Sequence, residues 1–248
     1  MKELLSAVYK RKSVRKFGET KLTKEELTAV EEYLYQATPL LPDVKVEFQI
    51  VPCSETNCKF NAEYCLLVYS QETDLWLANV GYLLEQWDLF LASKNIGVCW
   101  YGMGKVEEEE RSGLKYAIML AFGKTDEEYR KDASEFKRKD IHEIWQPDGA
   151  DLAKSSVAQI ARLAPSAVNS QPWKVVESGN VLKVYREKGK MPILSGVLFK
   201  HWNKVDIGIF LAFLEIALEN EGYAFERTLH PETDGIKSVL TATYTLSK

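Results

Sequence analysis

The sequence predicts an α+β fold in which one chain forms an internally duplicated pseudo-dimer around two long central helices. Two observations carry this. First, the order helix–strand–strand–long helix–strand occurs twice, offset by about 127 residues, so that Val30 maps onto Val157 and Ala37 onto Ala164. Second, the segments Leu77 to about Lys94 and Asp206 to about Gly222 are apolar nearly all round, which requires burial on most sides. They open alike, with "NVG" at Asn79 and "DIG" at Asp206, and both end near a glycine, Gly97 and Gly222. Packed against each other they give one compact domain over 1–248, made of pseudo-repeats at about 1–125 and 140–248 and related by a pseudo-two-fold axis.

The elements follow in order. "MKELLSAVYKR" is a helix with Leu4, Leu5 and Val8 on its apolar face. The second helix starts at a capping box, Thr23 with Glu26, and Leu22 with Leu27 can form the accompanying staple. Leu27, Val30, Leu34 and Ala37 share its buried face, and Pro39 and Pro42 forbid continuation. "VKVEFQIV" and "EYCLLVYS" read as strands, and "YAIMLAFGK" as a buried strand. Glu107 to Glu110 reads as a solvated face or a helix start, and "EEYRKDASEFKRKD" as a charged connector. In the second half, "DLAKSSVAQIARLA" is a helix with Ala153, Val157, Ile160, Ala161 and Ala164 on one face, stopped by Pro165. "KVVES" and "VLKVYRE" are strands, "DIGIFLAFLEIALENEG" is the second long helix, and "SVLTATYTL" is the final strand.

With 248 residues, the chain is long enough to bury a substantial core. A net charge of -4 gives no basic surface of the kind nucleic acids or anionic membranes require. The apolar run from Ile207 ends at Glu215, too short to span a bilayer. Lys2 and Glu3 lead into a mixed helix rather than an apolar run, so a cytoplasmic protein with reduced thiols is expected. Cys53, Cys58 and Cys65 lie close together, but no CxxC pair occurs and the three histidines are scattered, so no metal site is expected.

Two segments carry candidate chemistry. "RKSVRKF", Arg11 to Phe17, offers forked guanidinium donors, a hydroxyl and point charges, a set suited to a phosphate monoester. Its basic residues also complement the negative end of the first helix, although Ser13 and Arg15 lie beyond that end. "RLAPSAVNSQPW", Arg162 to Trp173, reads as a helix stop and a rigid loop, but Ser166, Asn169 and Gln171 make a polar row able to line a planar ligand.

These two segments resemble the FMN-dependent nitroreductase family: R-x-S-x-R-x-F after helix one, and A-P-S-x-x-N-x-Q-P-W. "NIGVCWYG" and "RKDIHEIW" resemble two further segments of the same family. In typical members the proline motif follows the second helix directly. Here "TPLLPDVKVEF" stands at that place and the motif appears only in the second half, as in the branch where one chain holds both halves of the usual dimer. The resemblance implies a three-layer α/β/α fold and one FMN per chain, held jointly by the two halves. The other pseudo-site has lost both parts, with Asp140 at the place of Ser13.

By the same resemblance, Arg11, Lys12, Ser13 and Arg15 hold the phosphate and Arg138 adds a charge. Pro165, Ser166, Ala167 and Asn169 approach the flavin, and the Tyr101–Gly102 backbone runs beside its reactive edge. No catalytic side chain is required, because the flavin carries the chemistry. Cys99 is expected to be a small buried residue, and the histidines structural or surface groups, with His201 and Trp202 bordering the substrate space from just before the second long helix. The implied activity is hydride transfer from NADH or NADPH through FMN to a nitro- or quinone-like small molecule, by a monomer. The alternative is a flavin-binding protein of this fold with another reaction, such as reductive dehalogenation, or without turnover. A basic interaction module is a third, weaker reading, because the basic cluster is one short segment in an acidic chain.

Overall fold

The computed structural model describes residues 1–147, 155–188, 196–233 and 237–248, with 196–200 as backbone alone. A short 3-10 turn leads into α1 (Leu5–Lys10), followed by α2 (Lys24–Gln36), β1 (Val46–Pro52), β2 (Tyr64–Ser70), α3 (Trp76–Ser93), β3 (Ile96–Tyr101), β4 (Glu110–Arg111) and β5 (Leu114–Lys124). The connector carries α4 (Ile141–Ile144). The rest comprises β6 (Trp145–Gln146), α5 (Ser156–Ala161), β7 (Trp173–Ser178), β8 (Val181–Glu187), α6 (Gly196–Asn220), β9 (Ala224–Leu229) and β10 (Ser238–Ser247).

The strands form two sheets, ordered β1-β2-β5-β3 with β4 beside β5, and β6-β7-β8-β10-β9. Matching β1, β2, β5 and β3 with β7, β8, β10 and β9 gives the same strand order in both sheets, antiparallel throughout. The added β6 pairs in parallel with β7. Between the sheets' helices, α3 and α6 make the most extensive helix contact. Two glycines let their backbones touch. A Cβ on Gly81 would fall 2.0 Å from the Val205 carbonyl oxygen, and one on Gly208 would fall 1.9 Å from that of Ala78. Gly81 and Gly208 differ by 127 positions, and so do Ala78 and Val205. The contact is therefore reciprocal under the offset read from the sequence.

Most predicted elements are present for the expected reasons. Thr23 and Glu26 close the capping box of α2, with Val30 and Leu34 buried beneath it. β2 is apolar on both faces because both are covered. Leu66 and Val68 enter the main core, while Cys65, Leu67 and Tyr69 meet Leu114, Met119 and Ala121 in a second cluster.

The structure corrects three readings. The second long helix begins at Gly196 rather than Asp206, so His201 and Trp202 lie within it; polar Asn203 and Lys204 obscured the early turns. β9 was not anticipated: alternate residues of "AFERTL" are exposed, as suits a strand at a sheet edge. Of the two alternatives for Glu107 to Glu110 the solvated face holds, all four being exposed, and the helix start does not, because Glu110 belongs to a two-residue strand. The predicted helix start at 151–154, including Ala153, lies outside the described residues. Among the described residues, no helix is long and apolar enough to cross a membrane.

Candidate functional site

Past α1 the chain runs extended beside the edge strand β3. Val14 N donates to Val98 O at 2.9 Å, and Ser13 bridges in parallel to Val98. Gly97 makes room for this, because a Cβ there would lie 2.8 Å from Val14 Cγ1. Alternation in the extended segment then sorts the side chains. Val14 is fully buried in the core, while Arg11, Ser13 and Arg15 turn to the other side and line a cavity of about 260 Å³. Lys12 points away, to Glu127 at 2.7 Å and Glu128 O at 3.1 Å.

The second half supplies the facing wall. Pro165, Ser166, Ala167 and Val168 line the same cavity. This loop is held in an uncommon backbone conformation, with positive φ at Val168 (48°), Asn169 (57°) and Gln171 (47°). Such values cost most at a β-branched residue, and they persist where surrounding bonds fix them. Here Ser166 Oγ accepts from Gln171 N at 2.8 Å, and buried Gln171 Oε1 accepts from Lys139 N at 2.8 Å. Asn169 is spent on the same brace: its Oδ1 accepts from Arg138 at 2.9 Å and its Nδ2 donates to Lys137 O at 2.8 Å.

The remaining wall is mainly aromatic and aliphatic: Trp100, Tyr101, Ile118, Trp202 and Ile209. Trp202 packs on Gly102, where a Cβ would lie 2.7 Å from its indole nitrogen, and donates to Gly102 O at 3.3 Å. His201 does not reach the cavity; it meets Ala117 O at 2.8 Å, and burial lowers its pKa. Cys99 borders the cavity, nearly fully buried, and burial pushes its thiol up to about 11, so it stays protonated.

Of the residues expected to hold a ligand, Arg11, Ser13, Arg15, Tyr101, Gly102, Pro165, Ser166 and Ala167 come together around this cavity. Lys12, Arg138 and Asn169 do not line it. Arg11 lines it from below but is committed elsewhere: its guanidinium forks onto Asp88 Oδ2 at 2.8 and 2.6 Å, and Trp100 Nε1 donates to the same oxygen at 2.8 Å. Asp88 carries the counter-charge. Glu85, 3.7 Å from Arg11, makes no hydrogen bond, and burial pushes its carboxyl well above the usual range. Arg15 is exposed and has no carboxylate partner among the described residues, so it and Ser13 offer free donors on the first-half wall.

Arg138 lies behind the wall. It donates to Leu163 O at 3.0 and 3.2 Å and faces the Phe136 ring, over which Arg130 also stacks. Burial and the neighbouring charges of Arg11 and Arg130 push its guanidinium down to about 10.

Sequence reading missed Asp206. It lines the cavity, 3% exposed, on α6. Oδ1 accepts from Ala167 N at 2.9 Å and so anchors the loop; Oδ2 is buried without a partner. Burial raises its pKa to about 8, which leaves the carboxyl largely protonated at neutral pH. A signal was present, since an acid heading an otherwise apolar helical run must find a use.

A two-sheet α+β fold with a cavity built from both halves defines a class, the nitroreductase fold. A sequence model described as "Putative TM nitroreductase" matches residues 3–218, and the chain belongs to that family. The crystal structure of a putative nitroreductase from Thermotoga maritima MSB8 superimposes with TM-score 0.64 at 19% identity, covering 98% of this chain and 93% of that one. A nitroreductase with bound FMN from Desulfitobacterium hafniense DCB-2 aligns at TM-score 0.43 and 16% identity, over 56% of this chain and 100% of the other. No curated protein matches the sequence.

Proposed function

We propose that the cavity binds one FMN and that the chain is an oxidoreductase using NADH or NADPH to reduce a nitro- or quinone-like small molecule. The observation that carries this reading is the convergence on one cavity of Ser13 and Arg15 from the first half with Pro165–Val168, Trp202 and Asp206 from the second.

The residues present fit the group. Arg15 and Ser13 offer uncommitted donors for a phosphate, and the cluster of Arg11, Arg130 and Arg138 behind them is relieved by an anion nearby. Indole, phenol and aliphatic side chains suit a planar ring system, and Asp206 Oδ2 is a buried polar atom that still lacks a partner. The chemistry FMN supplies when bound is hydride transfer from a reduced nicotinamide to an acceptor. The protein's part is to bind, orient and exclude water. Trp202 seals the Gly102 side, the braced loop fixes the opposite wall, and Asp206 holds a proton at neutral pH where the wall meets the cavity. The reading carries with it two pseudo-repeats, a monomeric state, one flavin per chain and a cytoplasmic location.

Adding FMN to the purified protein and recording the visible spectrum anaerobically tests this. The expected result is one bound flavin per chain, bleached by NADH or NADPH. A bound flavin that neither nucleotide bleaches points to another reaction of the same fold. Absence of binding, or two flavins per chain, overturns the proposed site.

A further inference from the structure

Outside the cavity, the fold gathers three cysteines that the sequence leaves unpaired. Cys53 sits on a 3-10 turn after β1, Cys58 in the loop beyond it and Cys65 on β2. Their three Sγ atoms all lie within 4.8 Å of one another, and Cys53 and Cys65 are buried while Cys58 is half-buried. Among the described residues this is the one such group of candidate metal ligands. The spacing C-x4-C-x6-C gave no reason to expect it, because strand β2 has to return antiparallel beside β1 before Cys65 meets Cys53.

We propose that Cys53, Cys58 and Cys65 bind a single thiophilic ion of the zinc class. Three sulfurs converging on one point suit one ion; an iron–sulfur cluster is ordinarily held by four cysteines. Zinc–sulfur bonds of about 2.3 Å set tetrahedral sulfurs roughly 3.8 Å apart, so the trio needs to contract by no more than about 1 Å. Cys53 and Cys58 lie on a turn and a loop, where such a shift is small.

The surroundings are those of a supported site. Thr56 Oγ1 accepts from Cys58 N at 3.1 Å, donates to Cys53 O at 2.9 Å, and lies 3.5 Å from Cys65 Sγ, so one hydroxyl touches all three ligand residues. No histidine or carboxylate completes the group among the described residues, which leaves the fourth position to solvent on the Cys58 side.

Such an ion would tie the loop after β1 to the sheet. That loop carries Phe60, which lines the cavity and meets the Tyr101 ring edge-on at 5.4 Å. Asn57 pins it further, accepting from Lys105 N at 2.9 Å. The site thus supports the cavity's outer wall without belonging to it. Binding forms three metal–sulfur bonds and releases the thiol protons to solvent; nothing is oxidised or reduced.

The test is an anaerobic Co2+ titration of the reduced, metal-stripped full chain. One equivalent should produce sulfur-to-cobalt charge-transfer absorption in the near ultraviolet and the visible bands of tetrahedral cobalt, and Zn2+ should abolish both. Cys58→Ser, the half-buried loop position, should bind Co2+ more weakly and with a smaller charge-transfer band while keeping the wild-type circular dichroism spectrum. Cys99→Ser should keep the band. Reduced wild-type protein that shows no sulfur-to-cobalt band, or a Cys58→Ser variant that binds Co2+ as the wild type does, overturns the proposal.

Discussion

The two ends of the α3–α6 pair start from matching parts and finish differently. At one end Asn79 Oδ1 accepts from Leu41 N at 2.9 Å; at the other, Asp206, offset by 127, accepts from Ala167 N at the same distance. Each side chain thus anchors the loop after a helix stop. Glu215 and Asp88, again 127 apart, are buried acids that correspond between the two ends. Glu215 accepts from Tyr82 at 2.6 Å, Tyr244 at 2.7 Å and Arg227 at 2.5 Å, while Asp88 takes Arg11 and Trp100. At the first end Leu40 is buried and its carbonyl accepts from Arg227. At the second, Pro165 to Val168 lie back and a cavity remains. The difference teaches that one anchoring scheme supports either a buried loop or a cavity wall, with Leu-Leu-Pro in the first case and Ser-Ala-Val in the second.

A large effect is expected from removing the acid that partners Arg11 at the open end. Asp88→Ala leaves Arg11 charged, buried and without its partner, and should cost about 3–5 kcal/mol in denaturant unfolding. A loss below about 1 kcal/mol would mean that Glu85 can take over the charge. Next are the paired glycines. Gly81→Ala and Gly208→Ala each push a methyl into a backbone carbonyl of the other helix and should destabilise by about 3 kcal/mol or more. Similar losses at both positions support the reciprocity; a large loss at one alone breaks it.

Arg15→Ala should weaken FMN binding by ten- to a hundredfold, about 1.5–3 kcal/mol for a charge-assisted contact, with folding unchanged. Unchanged affinity by fluorescence titration would show that the phosphate lies elsewhere. Arg15→Lys should fall between, because a point charge replaces a fork.

A pH-dependent effect separates Asp206 from its counterpart Asn79. With a folded pKa of about 8 against an ordinary value of about 3.9, Asp206 keeps a proton that the unfolded chain has released between those limits. Stability should therefore fall as pH rises from about 4 to about 8. Asp206→Asn keeps the acceptor for Ala167 N and removes that part of the slope, so it should stabilise at pH 8 and change little at pH 4. Glu85, which burial pushes the same way, retains the remainder. Equal effects of Asp206→Asn at both pH values in urea unfolding would contradict the assignment.

Legibility in the sequence followed the range of the interaction. The cap at Thr23 and the helix stops at Pro39 and Pro165 are local, and each is read from neighbouring letters. The early turns of α6 were hidden by polar residues, and β9 by its exposed edge position. Lys12 bonds Glu128 O, Arg138 bonds Leu163 O and Asn169 bonds Lys137 O, each 25 or more residues away, and no pattern in the chain announced that they would turn from the cavity.

The sequence by itself determined the α+β class, the offset of about 127 and the two buried helices, because periodicity, capping and helix stops act over a few residues, while the pairing of the two segments at one cavity came from their resemblance to a family. Tertiary structure alone decided that Arg11 belongs to Asp88, that Asp206 faces the cavity and that three separated cysteines converge. Those outcomes depend on which groups burial forces together once the two helices pack, and the energy of a buried charge or thiol is set by neighbours distant in the chain.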